Sequence, residues 1–371
     1  MKLNKKSIES ICKLVKIPDT DKSFFDEGMI KNLQIFGNEV IIDLLITNPT
    51  LQYKNRIEEL FSKQFEDQFS SELKLQINFV LDKKVIKPIK GSPIPGVNNI
   101  IAVSSAKGGV GKSTVTANLA VALSDLGYSV GIVDADIYGP SMHIMFDLDQ
   151  SSAQGINIGG ATKIKPLENY GVKLLSIGFF AQSKQAIPWR GPMASKALNQ
   201  LIWDAFWGDL DYLLIDLPPG TGDIHLSLVQ SIPLTGAIVV STPQSIALAD
   251  ARKGINMFQL ESINVPILGI VENMSYFIPD DDLDNKFYIF GKQGAQELAK
   301  KMDIELLAEI PLVQSIREAA DIGRPAVMQG STDIAIKFIK FAERVVEIIE
   351  KRNKDLPATE SVKITNQNGC K

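Results

Sequence analysis

The chain has 371 residues, 45% hydrophobic and 22% charged, with a formal net charge of −4, which leaves room for two globular domains and gives no general attraction to nucleic acid or an anionic membrane surface. No run of about 18 apolar residues is present to cross a bilayer, and Lys2, Lys5 and Lys6 are followed by polar residues rather than by the apolar core of a signal peptide. Its two cysteines, Cys12 and Cys370, exclude a disulfide framework and fit a reducing cytosol.

Residues 1–84 read as a small α+β domain. Ile8, Ile11, Cys12 and Val15 share one helical face that ends near Pro18, and Cys12 on that face reads as a small buried hydrophobe. Segments 30–36 and 40–46 are β-rich and flank Gly37-Asn38, a hairpin signal. Ile57, Leu60, Phe61 and Phe65 mark a second amphipathic helix, and Leu73, Leu75, Ile77 and Phe79 alternate as in a half-buried strand. Residues 85–98, with Pro88, Pro93, Pro95, Gly91 and Gly96, keep no apolar period and read as a linker.

Residues 99–350 alternate apolar strands with helical patterns, which predicts an α/β, doubly wound, mainly parallel sheet. Strands are expected at 100–103, 129–133, 172–177, 212–215, 237–241, 267–271 and 306–310, and helices at 194–206, 248–259, 294–301 and 334–350. Residues 351–371 are polar and read as a flexible tail. In such a sheet ligands bind at the carboxyl ends of the strands, so the polar residues there carry the functional expectations.

Between the first strand of that sheet and a helical run (Val115, Leu119, Ala120, Leu123, Leu126, stopped by Gly127) lies Ser105-Ala106-Lys107-Gly108-Gly109-Val110-Gly111-Lys112-Ser113-Thr114. A glycine-rich strand-to-helix turn ending in Lys-Ser is the phosphate-binding loop. The glycines let backbone amides curl onto phosphate oxygens, and the helix N-terminus adds its positive end. Lys112 is expected to reach the β- and γ-phosphates of ATP and the Ser113 hydroxyl to bind Mg2+. Two further strand ends carry carboxylates: Asp134-Ala135-Asp136, and Asp216 followed by Leu217-Pro218-Pro219-Gly220-Thr221-Gly222-Asp223. Four apolar residues capped by Asp216 match a Walker B acid for Mg2+. Asp136 is expected to orient the attacking water, and Asp134 to act through the second shell of the metal. Gly220 and Gly222 make a loop able to sense a γ-phosphate. The strand at 267–271 runs into Glu272-Asn273-Met274-Ser275, where Asn273 reads equally as an adenine reader or as a turn residue.

The phosphate loop departs from the usual pattern by having Ala106 at its first glycine position and a second lysine, Lys107. This resembles the deviant Walker A loop of the septum-site ATPase and the nitrogenase iron protein. Together, Lys107 to Thr114, Asp134-Ala135-Asp136-Ile137-Tyr138-Gly139-Pro140-Ser141, Asp216 to Asp223 and Glu272-Asn273-Met274 resemble the Mrp/NBP35/ApbC family of iron–sulfur cluster carrier ATPases over about residues 98–345. The first domain is similar to the MIP18-like domain (DUF59) often fused in front. The resemblance implies slow ATP hydrolysis, a homodimer in which Lys107 reaches the partner's nucleotide, delivery of clusters to apoproteins, and Asn273 as base reader. The family usually carries Cys-x-x-Cys shortly after Asn-Met. Here that stretch is Tyr276-Phe277-Ile278-Pro279-Asp280-Asp281-Asp282. With thiolates the ordinary cluster ligands, Cys370 is the expected one, a dimer supplying two. His143 and His225 are expected to be structural. Two other readings stand beside the carrier. One is a nucleotide-switched dimeric ATPase of the partitioning or positioning type without a cluster, which the missing cysteines favour. The other is a dinucleotide oxidoreductase, against which Lys112-Ser113 and the lack of G-x-G-x-x-G argue.

Overall fold

Strict alternation of burial along 39–46 organises the N-terminal part of the chain. The computed structural model describes residues 5–18, 22–36, 38–46, 51–66, 68–69, 73–81, 94–180, 191–279, 285–330 and 332–356, and the chain divides into two compact units, Met1–Ile86 and Lys87–Lys371. The first contains α1 (Lys5–Cys12), β1 (Ile30–Phe36), β2 (Glu39–Ile46), α2 (Leu51–Glu66) and β3 (Lys74–Leu81). β2 is the middle strand, antiparallel to β1 and parallel to β3, which it reaches through α2. Every second β2 residue, Val40, Ile42, Leu44 and Ile46, is buried in one cluster with Ile8, Ile11, Phe24, Ile57 and Phe61. Leu75, Ile77 and Phe79 of β3 are half-buried against the same cluster, the period-2 pattern of a sheet with one wet face. Cys12 is fully buried there, and burial pushes its thiol pKa up to about 12.

The second unit contains β4 (Val97–Ser104), α3 (Lys112–Asp125), β5 (Val130–Asp134), α4 (Met142–Met145), β6 (Gln154–Ile158), β7 (Ala161–Lys165), β8 (Leu167–Asn169), β9 (Val172–Ser176), α5 (Gly191–Trp203), β10 (Leu210–Asp216), α6 (Asp223–Ser231), β11 (Gly236–Ser241), α7 (Ser245–Phe258), β12 (Ile267–Phe277), α8 (Gly294–Met302), β13 (Leu306–Leu312), α9 (Gln314–Asp321) and α10 (Asp333–Asp355). Eight strands form one sheet in the order β13-β12-β11-β4-β10-β5-β9-β8, parallel throughout except for β8 at the edge. β4 is apolar on both sides because both sides are covered. Ile101 and Val103 pack with Val115, Leu119 and Leu123 of α3 and Phe338, Phe341 and Val345 of α10, whereas Ile100 and Ala102 pack with Leu198 and Ile202 of α5 and Phe258 of α7. Among the described residues no helix is long and apolar enough to cross a membrane.

Three expected boundaries are corrected. β4 starts at Val97, inside the segment read as linker up to residue 98, because Val97 and Asn99 pair with Leu210 and Tyr212 of β10. α10 continues through residues 351–355, read as tail, because Arg352 turns inward and Asn353 Nδ2 donates to Asn99 Oδ1 at 2.9 Å. β12 does not stop at residue 271 but carries Glu272, Asn273 and Met274 within it. Met274 adopts φ 53°, and the register with β13 shifts between Asn273 and Phe277. The β6–β7 hairpin, not anticipated, turns on Gly159-Gly160, whose φ values of 58° and 86° suit a tight two-residue reversal.

In a Cys370→Ala protein, Cys12 should be silent to Ellman's reagent at pH 8 in the native state and titrate fully in guanidinium, since a buried, protonated thiol is neither accessible nor nucleophilic. Rapid native labelling would contradict the burial.

Candidate functional site

Parallel pairing brings the carboxyl ends of β4, β10, β5 and β9 to one edge in register: Asp216 stands opposite Val103 on one side and Asp134 on the other, and Asp134 opposite Ser176. β4 leaves this edge as the loop that ends at α3. Gly109 and Gly111 both sit at φ 81°, where any other residue is strained, and a Cβ on Gly111 would collide with the Asn273 amide. Lys107, Gly108 and Gly109 are exposed, Ala106 and Thr114 half-buried, and Val110 buried. α3 begins at Lys112, so the unpaired amides of its first turn lie at the loop.

Beneath the loop is a buried ionic cluster. Lys112 Nζ lies 2.6 Å from Asp216 Oδ2, with the lysine 6% and the aspartate 0% exposed. Ser113 Oγ donates to the same oxygen at 2.7 Å, and Thr116 Oγ1 donates to Oδ1 at 2.7 Å. Thr116 is not among the residues the sequence points to: its helix also carries Thr114 and Asn118, and only the contact with Asp216 sets its hydroxyl apart. The cluster unites three expected site residues, Lys112, Ser113 and Asp216. Ser113 and Asp216 present hard oxygen donors side by side, a set that suits Mg2+.

Asp134 has a different environment. It is fully buried, and its oxygens accept from the amides of Asp136 (3.2 Å), Ser141 (3.1 Å) and Met142 (3.1 Å) and from Ser176 Oγ (2.9 Å). Burial, and then the charge of Asp216, push its pKa up to about 7 against the pull of these donors. It therefore fastens both ends of the loop from Asp136 to Ser141. Asp136 on that loop is half-buried and accepts from the Gly139 amide at 3.3 Å; burial raises its pKa while Lys112 pulls it down.

On the opposite side of β4, Asn273 donates through Nδ2 to the Val110 carbonyl at 2.8 Å, which joins β12 to the phosphate loop. Glu272 beside it is buried and accepts from the Ala295 amide at the start of α8. His225 on α6 is buried with Nδ1 3.2 Å from the Pro218 carbonyl, and His143 on α4 lies with Nε2 3.7 Å from Asp149. Among the described residues no group of three or more His, Cys, Asp or Glu side chains could hold a metal ion. Cys370 lies outside the described residues, as does the replacement stretch from Asp280 to Asp282.

A family profile described as the NUBPL iron-transfer P-loop NTPase matches residues 96–346. The chain is 47% identical over 261 residues to an iron–sulfur cluster carrier protein of Aquifex aeolicus, covering 70% of each chain. It is 40% identical over 323 residues to the protein of the same name from Synechocystis, covering 87% of this chain and 91% of that one. Among solved structures, a nucleotide-binding protein of Archaeoglobus fulgidus in complex with ADP superposes with a TM-score of 0.57 at 38% identity, covering 66% of this chain and 93% of that one.

Gly111→Ala should lower nucleotide affinity by about 100-fold or more, since it combines a strained φ with a collision against Asn273. Titration with a fluorescent ADP analogue measures it. Wild-type affinity in this variant would show that the loop does not hold this conformation when nucleotide binds.

Proposed function

The chain belongs to the family of NUBPL iron-transfer P-loop NTPases, and on that premise we propose that it binds and slowly hydrolyses ATP with Mg2+ and carries iron–sulfur clusters, as cargo, to recipient apoproteins in the cytosol. The observation that carries the nucleotide half is the buried contact of Lys112 and Ser113 with Asp216 directly below the glycine loop. The cargo half rests on the relatives, which are named iron–sulfur cluster carrier proteins.

The chemistry follows from the residues. Lys112 exchanges Asp216 for the β- and γ-phosphate oxygens, with the amides of Gly108 to Thr114 cradling the rest of the diphosphate. Ser113 and Asp216 are then free to hold Mg2+, which when bound neutralises charge between the phosphates. Asp136 orients the attacking water from a half-buried position, Asn273 lies next to the loop as the base reader, and the exposed Lys107 acts across a homodimer on the partner's nucleotide, in the manner of an arginine finger. Of the two cysteines, Cys12 is removed as a cluster ligand by its burial, which leaves Cys370; two copies supply two thiolates, and a small thiol or the recipient supplies the others. The first unit is proposed to be a MIP18-like domain. One observation favours a cluster-free, nucleotide-switched ATPase instead: the stretch from Tyr276 to Asp282 holds no cysteine.

Lys112→Ala should abolish ATP turnover, and Lys107→Ala and Asp136→Asn should each be inactive alone. Mixed, the two should regain part of the wild-type rate, because one site of a mixed dimer has Asp136 and receives Lys107 from its partner. No recovery with mixed dimers shown to form would remove the trans role.

Anaerobic reconstitution with iron and sulfide should load the wild type and fail in Cys370→Ala and in a chain lacking residues 357–371, a cut that spares α10, with ATPase activity kept in both. Equal iron content in the three proteins would assign the cluster elsewhere.

A further inference from the structure

The segment between Asp216 and α6 contains two consecutive prolines, 218 and 219, which have no N–H to offer. Among the described residues, three hydrogen bonds fix its course from Leu217 to Gly220. Leu217 N donates to the Val103 carbonyl at 3.0 Å, Gly220 N donates to the Ser105 carbonyl at 2.8 Å, and the Pro218 carbonyl faces His225 Nδ1 at 3.2 Å. The first two tie the segment to β4 and to the first residue of the phosphate loop; the third ties it to the first turn of α6. His225 is 2% exposed and stands edge-on to Phe258, ring centroids 5.9 Å apart. Its Nε2 is buried with no partner among the described residues. A carbonyl only accepts, so Nδ1 carries the proton and Nε2 the lone pair. An apolar side chain would fill this pocket without stranding Nε2, so the hydrogen bond to Pro218 is what a histidine adds here. Burial, with Lys112 adding to it, holds the ring neutral, its pKa lowered to about 4.

The geometry points to His225 as the positioning residue of the γ-phosphate response: by fixing the Pro218 carbonyl it sets where the Gly220 amide stands, so that this amide can leave Ser105 for a γ-phosphate oxygen. Gly220, at φ 97° and half-buried, leads into the exposed Thr221 and Gly222, and its amide is bonded to the Ser105 carbonyl at the start of the phosphate loop. The inference rests on the proposed ATP hydrolysis at this site. His225 touches no substrate; it acts through Pro218 and Gly220.

The test is a pair of amides. In His225→Asn the side-chain NH2 takes the place of Nδ1 and keeps the bond to Pro218; in His225→Gln it takes the place of Nε2 and loses that bond. The Gln variant should drop kcat roughly tenfold, the effect of about one hydrogen bond, with ADP affinity unchanged, while Asn stays near the wild-type rate. Equal turnover in the two, or a Gln variant that loses ADP affinity and kcat by the same factor, would overturn the assignment. The wild-type protein, labelled with 15N-histidine, gives a reading that needs no variant to fold. The Nδ1–H tautomer should be present, and its signal should move with a non-hydrolysable ATP analogue and not with ADP. An Nε2–H tautomer, or identical spectra with the two nucleotides, would overturn the inference. Absence of ATP turnover in the wild type would instead be the failure of the ATPase reading, and the tautomer and its nucleotide response still decide the role of His225.

Discussion

The contact between Lys112 and Asp216 governs the arrangement of the second unit. A lysine and an aspartate so deeply buried lose most of their hydration, and their mutual attraction repays it only where hydrogen bonds satisfy the remaining atoms. Ser113 and Thr116 do this for the carboxylate. Such a pair is a poor device for stability, since apolar residues of similar bulk often serve as well. Under the proposed function it serves binding instead, since the ammonium can exchange its partner for phosphate and the carboxylate for a divalent cation. Parallel registry sets the pair, placing the end of β10 beside the end of β4.

Asp134 and Asp216, one strand apart, show how environment divides the labour of identical side chains. Asp216 faces a cation and two hydroxyls. Asp134 faces backbone amides and Ser176 and bears the repulsion of its neighbour, which with burial raises its pKa to about 7. The sequence assigns Asp134 to the metal's outer shell; its four donors instead make it the fastening of the segment that carries Asp136. Asp136, closer to solvent, accepts from the Gly139 amide at 3.3 Å.

Much of this was legible without coordinates, for reasons that differ by element. The glycine loop, Lys112, Ser113 and Asp216 are local: a strand, a turn and a helix in succession need only the residues that form them. The apolar face with Ile8, Ile11 and Cys12 was equally readable, since period and burial coincide there. What sequence could not supply was anything that depends on two distant segments meeting. Arg352 and Asn353 look like a polar tail until Asn99 is placed beside them, and Val97 looks like a linker residue until β10 pairs with it. Asn273 could not be told from a turn residue, because the hydrogen bond that occupies it spans from β12 to Val110. Thr116 and His225 carry no motif, and their partners are visible only in three dimensions.

The burial of α3 on both sides has a bearing on biosynthesis. Its residues from Val115 to Leu123 are nearly all covered, by the sheet on one side and by Phe338, Phe341 and Val345 of α10 on the other. α10 leaves the ribosome more than two hundred residues after the phosphate loop. Until α10 docks, the helix that presents Lys112 and Ser113 has one flank bare. A nascent chain that has not yet made α10 thus lacks part of the packing that supports its phosphate loop, so a local turn depends on residues added more than two hundred positions later.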